Sequence, residues 1–362
     1  MGLKILHSAD WHMGSGFGSL SREQREFLRH EQLQLPGKIA RLCRREECDL
    51  VLLAGDIFEG IPGKEVLGRV CEALAECGVP VLISPGNHDF CGPGSPWLEA
   101  SLPDNVYVFT GELTSLSIPA LDCRVYGAGY RSMDCPPLLE NFQLGGTERY
   151  QIGLLHGDPV SGTSPCCPVT SGQIRRSGLD YLALGHIHKR LEPQTYGGTL
   201  CAWPGCIEGR GFDELGEKGF YEGTIESGRV SVTFVPFARR RYEILEVDVT
   251  GKTPRAAVES ALPADTEQHL YRILLTGETD ESGVQVSALQ QAFGDRFYAL
   301  EIRDHTRMRE DIWARAEEDS LRGLFLRELR AKWNAAATEE ERETVNRAAR
   351  FGLAAFDHRD LE

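Results

Sequence analysis

Short apolar runs separated by polar segments make up the first two thirds of the chain. The runs are rich in Val, Ile and Leu, and each has the length of a strand, so the pattern predicts strands alternating with helices or loops up to about residue 237. Because the runs are almost continuously apolar, we expect strands buried on both faces. The predicted strands are residues 3–6, 50–54, 79–84, 106–109, 123–126, 152–155, 181–184, 220–225 and 230–235.

Two helical segments lie between the first three predicted strands. Residues 22–48 are largely charged and compatible with a helix, and we expect an interruption at Pro36-Gly37 because proline disrupts a helix interior. Residues 64–77 carry an apolar stripe that includes Val70 and Leu74, which is typical of a helix with one buried face.

The last third of the chain changes its pattern twice. After a basic run at residues 239–241, the order β-α-β-α-β predicts a compact second domain. From Arg307 onward the pattern is helical, with apolar residues at four-residue intervals. We therefore predict three parts, residues 1–240, 241–305 and 306–362. The helical stripe consists of Leu321, Phe325, Leu329 and Trp333, beside Leu324.

The composition is that of a globular protein. Hydrophobic residues make up 41% and charged residues 26%, and no apolar run approaches the length of a membrane span, so we expect a soluble protein without a membrane partner. The first residues lack the features of a secretory signal, which favours a cytoplasmic location. The eleven cysteines are odd in number and contain no Cys-x-x-Cys pair, so we expect reduced thiols.

The net charge of −15 weighs against a broadly basic surface for nucleic acid, because Lys and Arg normally supply most of that affinity by neutralising phosphates. The argument is partial. Charge can be segregated on the surface, and bound divalent metal would neutralise some of the acidic residues locally.

Five short polar motifs follow predicted strands, and they carry the chemistry. Carboxylates, imidazoles and an amide oxygen are the usual ligands of Mn²⁺, Fe²⁺ or Zn²⁺. Each motif alone is weak evidence, but five of the ten histidines fall within the set, and burying so many polar groups without metal would carry a large desolvation penalty. The motifs are Asp10-Trp-His12, Gly55-Asp56, Gly86-Asn-His-Asp89, His156-Gly-Asp158 and Gly185-His-Ile-His188.

In this order the motifs resemble those of the calcineurin-like metallophosphoesterase superfamily, over about residues 3–237. The opening His7-Ser-Ala-Asp-Trp-His12-Met-Gly and the stretch 205–219 resemble SbcD-type DNA repair exonucleases. The resemblance implies an α/β fold of the layered α+β kind. It consists of a catalytic β-sandwich flanked by helices (1–240), a small α/β capping domain (241–305) and a helical C-terminal region (306–362).

The resemblance also implies roles for individual residues. Two divalent ions are expected, with Mn²⁺ the first choice and Fe²⁺ or Zn²⁺ as alternatives. Asp56 is expected to bridge the two ions, which would activate water for hydrolysis of a phosphoester. The first ion would be held by Asp10, His12, Asp56 and His188, and the second by Asp56, Asn87, His156 and His186.

His88 is not needed as a ligand in this set. We predict that it stabilises charge on the phosphoryl group or protonates the leaving oxygen, with Asp89 orienting its ring. Some relatives place a second histidine three residues after the bridging aspartate, but this chain has Glu59 there.

The metal chemistry does not select a substrate, so three functions stay open. The first is a DNA exo- or endonuclease subunit acting with an SMC-like ATPase that binds the C-terminal helices, since the chain has no P-loop of its own. The second is a phosphatase or phosphodiesterase for phosphoproteins or small molecules, and the third is a scaffold with structural metal. A homodimer also stays open. Candidate phosphate contacts in the first case are Arg175, Arg176, Arg239, Arg240 and Arg241.

Overall fold

The computed structural model describes residues 2–18, 20–160, 163–226, 228–279, 283–308 and 313–356, and the structural statements below refer to these residues. The helices are α1 (Arg22–Gln32), α2 (Leu35–Arg45), α3 (Lys64–Glu76), α4 (Pro96–Glu99), α5 (Ser171–Ser177), α6 (Pro254–Ala261), α7 (Val286–Phe293), α8 (Leu321–Ala335) and α9 (Glu339–Phe356). None of these helices is long and apolar enough to span a membrane.

The strands match the predicted apolar runs and add several that the pattern did not reveal. They are β1 (Leu3–Ser8), β2 (Leu50–Leu53), β3 (Val81–Ile83), β4 (Val106–Val108), β5 (Thr114–Ile118), β6 (Cys123–Gly127), β7 (Tyr150–His156), β8 (Tyr181–Gly185), β9 (Leu191–Tyr196), β10 (Thr199–Trp203), β11 (Gly219–Glu226), β12 (Arg229–Pro236), β13 (Tyr242–Asp248), β14 (Leu270–Thr276), β15 (Glu278–Thr279), β16 (Ala299–Asp304) and β17 (Arg307–Met308).

Two six-stranded sheets form the main part of the fold. Sheet 1 has the order β12-β11-β1-β2-β3-β4 and is parallel from β1 to β4. Sheet 2 has the order β5-β6-β7-β8-β10-β9 and is parallel from β6 to β10. Smaller sheets join β13, β14 and β16, and β15 with β17. The layered α/β architecture with helices beside the sheets is confirmed.

Alternating side chains of the central strands fill two different layers. In β2, Leu50 and Leu52 share a buried cluster with Ile152 and Leu154 of sheet 2, so the two sheets pack face to face. Val51 and Leu53 point the other way and pack in a cluster with residues of α2 and α3. The outer face of sheet 2 is covered in the same manner by α5. The prediction of strands buried on both faces is therefore confirmed.

The predicted break in the first helical segment is real, but it lies earlier than expected. Residues 33–34 separate α1 from α2, and Pro36 lies in the first turn of α2 rather than at the break. A proline is tolerated at this position because the first backbone N–H groups of a helix have no intrahelical acceptor.

All eleven cysteines lie among the described residues, and none forms a disulfide, as the sequence predicted. Nine of them are buried. They therefore act as small apolar residues in the packed interior.

Two compact units can be distinguished, and each is assembled from separate stretches of the chain. The first comprises Met1–Leu245, Pro263–Ile273 and Gln290–Glu301, and the second comprises Glu246–Leu262, Leu274–Leu289 and Ile302–Glu362. Within the first unit, Gln24 Nε2 donates to the backbone oxygen of Tyr298 at 3.2 Å. The guanidinium of Arg240 lies 3.5 Å from the centre of the Tyr298 ring. The three-part division at residues 240 and 305 stays a prediction.

In the second unit, α8 and α9 pack against each other. Leu326 is fully buried, and Phe325 and Leu329 pack against the same small core. The apolar stripe predicted on α8 therefore folds back on its own chain in part. Leu321 and Leu324 do not take part, since they are 72% and 56% exposed.

The two large sheets approach most closely at Gly185, the last residue of β8. A Cβ built on Gly185 would overlap the backbone oxygen of Ala54, which follows β2, and would lie 3.0 Å from the Cβ of Ala9, which follows β1. The contact joins strand ends of both sheets, so only glycine fits there without backbone movement.

We predict that Gly185→Ala destabilises the protein by on the order of 2 kcal/mol, because the added methyl group would force the strand ends apart. Urea unfolding measures this change. Gly68→Ala is the matched control, since Gly68 lies inside α3 and an added Cβ meets no atom within 4 Å. The control is expected to stabilise the protein by about 0.5–1 kcal/mol. Equal effects of the two substitutions would contradict the close-approach argument.

Candidate metal centre

The five motifs lie where β1, β2, β3, β7 and β8 end. The first three are neighbours in sheet 1 and the last two are neighbours in sheet 2, so their carboxyl ends meet at one edge of the packed sheets. This edge is where parallel α/β sheets hold their ligands. The structure brings all seven predicted ligands and His88 together there, with Asp10, His12, Asp56 and His156 at most 1% exposed.

The backbone of the motifs adopts unusual conformations. Asp10, His12, Asp56 and His186 have φ values of 51°, 44°, 50° and 92°, in the left-handed region that favours glycine. Such residues cost of order 1–3 kcal/mol each and cluster at functional sites. They are held by hydrogen bonds between loops, in which the amides of Asp10 and His12 donate to the backbone oxygens of Gly55 and Asp56 at 3.0 and 2.9 Å.

The first group consists of Asp10, His12, Asp56 and His188, whose potential ligand atoms all lie within 4.8 Å of one another. The Nε2 atoms of His12 and His188 are 3.1 Å apart. Asp56 Oδ2 is 3.7 Å from the first of these nitrogens, and Asp10 Oδ1 is 3.9 Å from the second.

The partners of the opposite ring nitrogens show why this group suits a cation. His12 Nδ1 lies 2.7 Å from Glu59 Oε2, and His188 Nδ1 lies 2.7 Å from Glu214 Oε1. A carboxylate only accepts hydrogen bonds, so in the neutral rings each Nδ1 carries the hydrogen and each Nε2 presents a lone pair. Two lone pairs and two carboxylates then converge without a hydrogen between them, which is the donor set of a divalent transition ion.

The second group consists of Asp56, Asn87, His156 and His186. His156 Nδ1 donates to the backbone oxygen of Ala54 at 2.8 Å, which leaves Nε2 as a lone-pair donor. This Nε2 lies 3.1 Å from Asn87 Oδ1 and 3.3 Å from Asp56 Oδ2. His186 Nδ1 lies 3.2 Å from the same Asn87 oxygen. Acceptor atoms again face one another, and Asp56 Oδ2 borders both groups.

The electrostatics of the buried groups agree with this geometry. Burial favours the neutral form of Asp56, but the nearby rings of His156 and His12 hold its pKa below the usual range. Burial likewise lowers the pKa of His156, yet the negative charge of Asp56 outweighs it and raises that pKa to about 9. Both shifts express a demand for positive charge at this point, which divalent metal would satisfy.

Three charged residues form a network around the first group. Arg210 pairs with Glu214 at 2.5 Å and with Glu59 at 3.1 Å. The two glutamates in turn accept from His12 and His188, so a chain of contacts runs from one ring through Arg210 to the other. The hydrogen bonds from His12 and His88 hold the pKa of Glu59 well below its usual range. The network therefore fixes the tautomers and orientations of both histidines.

His88 lies at the opening of the site with its side chain 36% exposed, as its proposed role requires. Its partner differs from the one expected. His88 Nδ1 lies 3.0 Å from Glu59 Oε1, and this hydrogen bond raises the pKa of His88. Glu59 therefore orients two imidazoles, although the sequence suggested only that it replaces a third.

Asp89 does not orient His88, and this part of the prediction was wrong. Its carboxylate accepts from the backbone amides of Gly86 and Ile57, both at 2.8 Å, and of Asp56 at 3.2 Å. Burial and the charge of Asp56 raise the pKa of Asp89 to about 6. Asp89 therefore joins the loop after β2 to the loop after β3, because it satisfies amides that would otherwise be buried without acceptors.

The predicted phosphate-contacting arginines fall into two groups. Arg239 and Arg240 both pair with Glu31, at 2.9 and 3.1 Å, and Arg240 is only 8% exposed. The structure therefore gives Arg240 a packing role instead of a surface for phosphate. Arg241 lies near Glu217 and Asp265 at 3.6 and 3.7 Å. By contrast, Arg175 and Arg176 are exposed in the last turn of α5.

Arg210 and Glu214 were not among the predicted site residues. Both lie in the glycine-rich stretch 205–219 that contributed to the family resemblance. The only local signal was a pair of opposite charges four residues apart, Arg210 and Glu214, which is common on protein surfaces. Their contact with His188 depends on the folded chain.

Comparison with known proteins places this geometry in a known context. Residues 3–190 match the protein family described as calcineurin-like phosphoesterase. The chain is 30% identical over 265 residues to YhaO of Bacillus subtilis strain 168, which is described as an uncharacterized metallophosphoesterase. It is 25% identical over 290 residues to the D chain of the nuclease SbcCD of Staphylococcus epidermidis.

These similarities are partial in extent. Each match covers 68% of this chain, and they span 64% of YhaO and 73% of the Staphylococcus protein. Among solved structures, the crystal structure of TT1561 of Thermus thermophilus aligns over 65% of this chain and 99% of its own, with a TM-score of 0.41 and 12% identity.

We predict that Glu214→Gln weakens Mn²⁺ binding about tenfold, because the neutral amide no longer stabilises the imidazole of His188. Isothermal titration calorimetry of the metal-free protein with MnCl₂ measures this change. Glu217→Gln is the matched control, since Glu217 is three residues away with a side chain 49% exposed. An unchanged affinity of Glu214→Gln, with the control also unchanged, would contradict the role of the network.

Proposed function

Because the chain belongs to the calcineurin-like phosphoesterase family, and is therefore a metal-dependent phosphoesterase, we propose that it is a two-metal phosphodiesterase that cuts DNA within a repair complex. The observation that carries the proposal is the convergence of acceptor atoms around Asp56. Its Oδ2 atom lies 3.7 Å from His12 Nε2 and 3.3 Å from His156 Nε2.

In this proposal Asp56 bridges two divalent ions. The contacts measured at the site support this division, and Mn²⁺ is the expected metal, with Fe²⁺ and Zn²⁺ as alternatives. The first ion is held by Asp10, His12, Asp56 and His188, and the second by Asp56, Asn87, His156 and His186.

Two bound divalent ions would supply an activated water and neutralise charge on the phosphoryl oxygens. The protein contributes the positions of the reacting groups. Glu59 accepts from His88 Nδ1 and fixes the ring, so that Nε2 is the atom left to donate a proton to the leaving oxygen. Asp89 keeps the loops that carry Asp56 and His88 in register through its bonds to backbone amides.

Support for DNA as the substrate comes from the similarity to the Staphylococcus protein, whose name makes it part of a nuclease. The exposed Arg175 and Arg176 are candidate phosphate contacts. The competing function is a phosphatase or phosphodiesterase for phosphoproteins or small molecules. The net charge of −15 favours it, as do the internal ion pairs of Arg239 and Arg240.

We further propose that α8 binds an SMC-like ATPase subunit. Leu321 and Leu324 support this, because the core formed by α8 and α9 leaves both side chains exposed. Large exposed apolar residues that lie close together are typical of a protein contact.

The purified protein is expected to cleave linear and hairpin DNA with Mn²⁺ and to lose activity with EDTA. Asp56→Asn should reduce cleavage at least about 100-fold, because a neutral amide cannot balance two divalent ions. Asp104→Asn is the control, since Asp104 is exposed. Gel-based cleavage assays measure these rates.

Hydrolysis of p-nitrophenyl phosphate beside intact DNA would favour the phosphatase and contradict the nuclease. Full activity of Asp56→Asn would contradict the two-metal assignment itself. A protein that purifies without transition metal and has no activity would favour a scaffold.

The partner proposal predicts that Leu321→Asp combined with Leu324→Asp abolishes complex formation with a co-expressed SMC-like ATPase in gel filtration. Folding should be unaffected because both side chains are exposed. Leu98→Asp is the control, as Leu98 is 53% exposed on α4 in the first unit. Unchanged co-elution of the double variant would overturn the proposed contact.

A further inference from the structure

A cavity of about 600 Å³ opens on the outer side of sheet 2, within the first unit. Its size is that of a small-molecule site rather than a packing defect. None of its lining residues belongs to the proposed metal ligands. The walls are formed by the segment after Asp158, by α5 and by the β9–β10 hairpin, and include Val160, Val169, Ile174, Leu191, Tyr196 and Trp203.

The cavity lies beside the metal centre. Pro159, on its wall, follows His156 by three residues, and Leu191 follows His188 by three residues. Three residues of chain span at most about 11 Å, so both wall residues are near a proposed metal ligand. Trp203 Nε1 also donates to the backbone oxygen of Gly157 at 3.0 Å, which anchors the aromatic wall next to His156.

The walls suit a flat, partly apolar group. Aliphatic side chains from three elements surround two aromatic residues, Trp203 and Tyr196, and the rim carries the polar side chains of Thr170, Ser171 and Gln194. Tyr196 is half-buried and lies on β9, the edge strand of sheet 2. Aromatic walls with a polar rim can stack a nucleobase and bind its edge.

Charge argues for the same occupant. The run 239–241 is paired with acidic side chains, so it is poorly placed to follow a phosphate backbone. Binding of a single nucleotide by stacking needs no such basic track. Arg175 and Arg176 lie exposed on α5, the helix that forms one wall, and would face the phosphate side of the same strand.

We propose that this cavity binds an unstacked nucleobase of the nucleotide next to the scissile phosphate. The inference rests on the proposed phosphodiesterase function, and it adds the substrate class that the metal centre cannot select. In this view the metals hold the phosphate while the cavity selects a nucleoside among the possible ester substituents.

Two diesters with the same leaving group test the proposal, the p-nitrophenyl ester of thymidine 5′-monophosphate and methyl p-nitrophenyl phosphate. We expect kcat/KM with Mn²⁺ to be at least tenfold higher for the thymidine ester. Tyr196→Ala and Val160→Glu should reduce this preference to within twofold of unity and leave hydrolysis of the methyl ester unchanged. Tyr107→Ala is the matched control, on the edge strand β4 of sheet 1 and 38% exposed.

A preference that persists in both variants, or a wild-type protein without preference, would overturn the proposal. An equal loss on both esters would also overturn it, since that is the effect of a disturbed fold. Saturation-transfer NMR with thymidine, and with ribose as the negative probe, gives a separate readout. Transfer to the thymine methyl group that Tyr196→Ala abolishes supports the cavity, and no transfer overturns it.

The two proposals fail in different ways. A wild-type protein that hydrolyses neither ester contradicts the phosphodiesterase function, and the NMR result then decides the cavity alone. Hydrolysis of both esters without saturation transfer leaves the phosphodiesterase function intact and removes the cavity.

Discussion

The mutual repulsion of buried acceptor atoms is the constraint around which this fold is arranged. Imidazole lone pairs and carboxylate oxygens face one another at 3.1–3.7 Å between His12, His188, His156 and Asp56. Such atoms would separate if the chain allowed it, because each would gain solvation. They stay together because each ligand lies at the end of a buried strand, and because loop amides and Asp89 hold the connecting segments. The stability of the two sheets therefore supports a local arrangement that is unfavourable without bound cations.

The sequence could predict the strands and the positions of the ligands. Apolar runs that end in Asp, Asn or His define both at once, since strands buried on two faces and polar strand ends are local features. Hairpin β9–β10 was not predicted, because Thr, Gln, Glu and Pro dilute its apolar pattern. The residues around the ligands were harder still. Glu59 and Arg210 are 151 residues apart, and no periodicity records a contact at that distance.

Misassigned charges share one physical reason. A sequence shows that Arg240 is basic but not that Glu31 lies opposite it, and Asp89 resembles an active-site acid until its backbone partners are known. In both cases an intramolecular partner takes the group that function was expected to use. Charged residues inside a compact fold are normally paired, so a functional role for such a residue has to be argued from what it contacts.

The interleaving of the two units has a consequence for synthesis on the ribosome. Gln24 and Arg240 both contact Tyr298, so the unit that carries the metal ligands includes residues near the end of the chain. Every ligand has left the exit tunnel long before Tyr298 does. At about 5–20 residues per second, the interval between His188 and Tyr298 lasts several seconds. During this time the nascent chain holds its acidic and imidazole side chains in an incompletely packed state, where chaperones and metal ions have access to them.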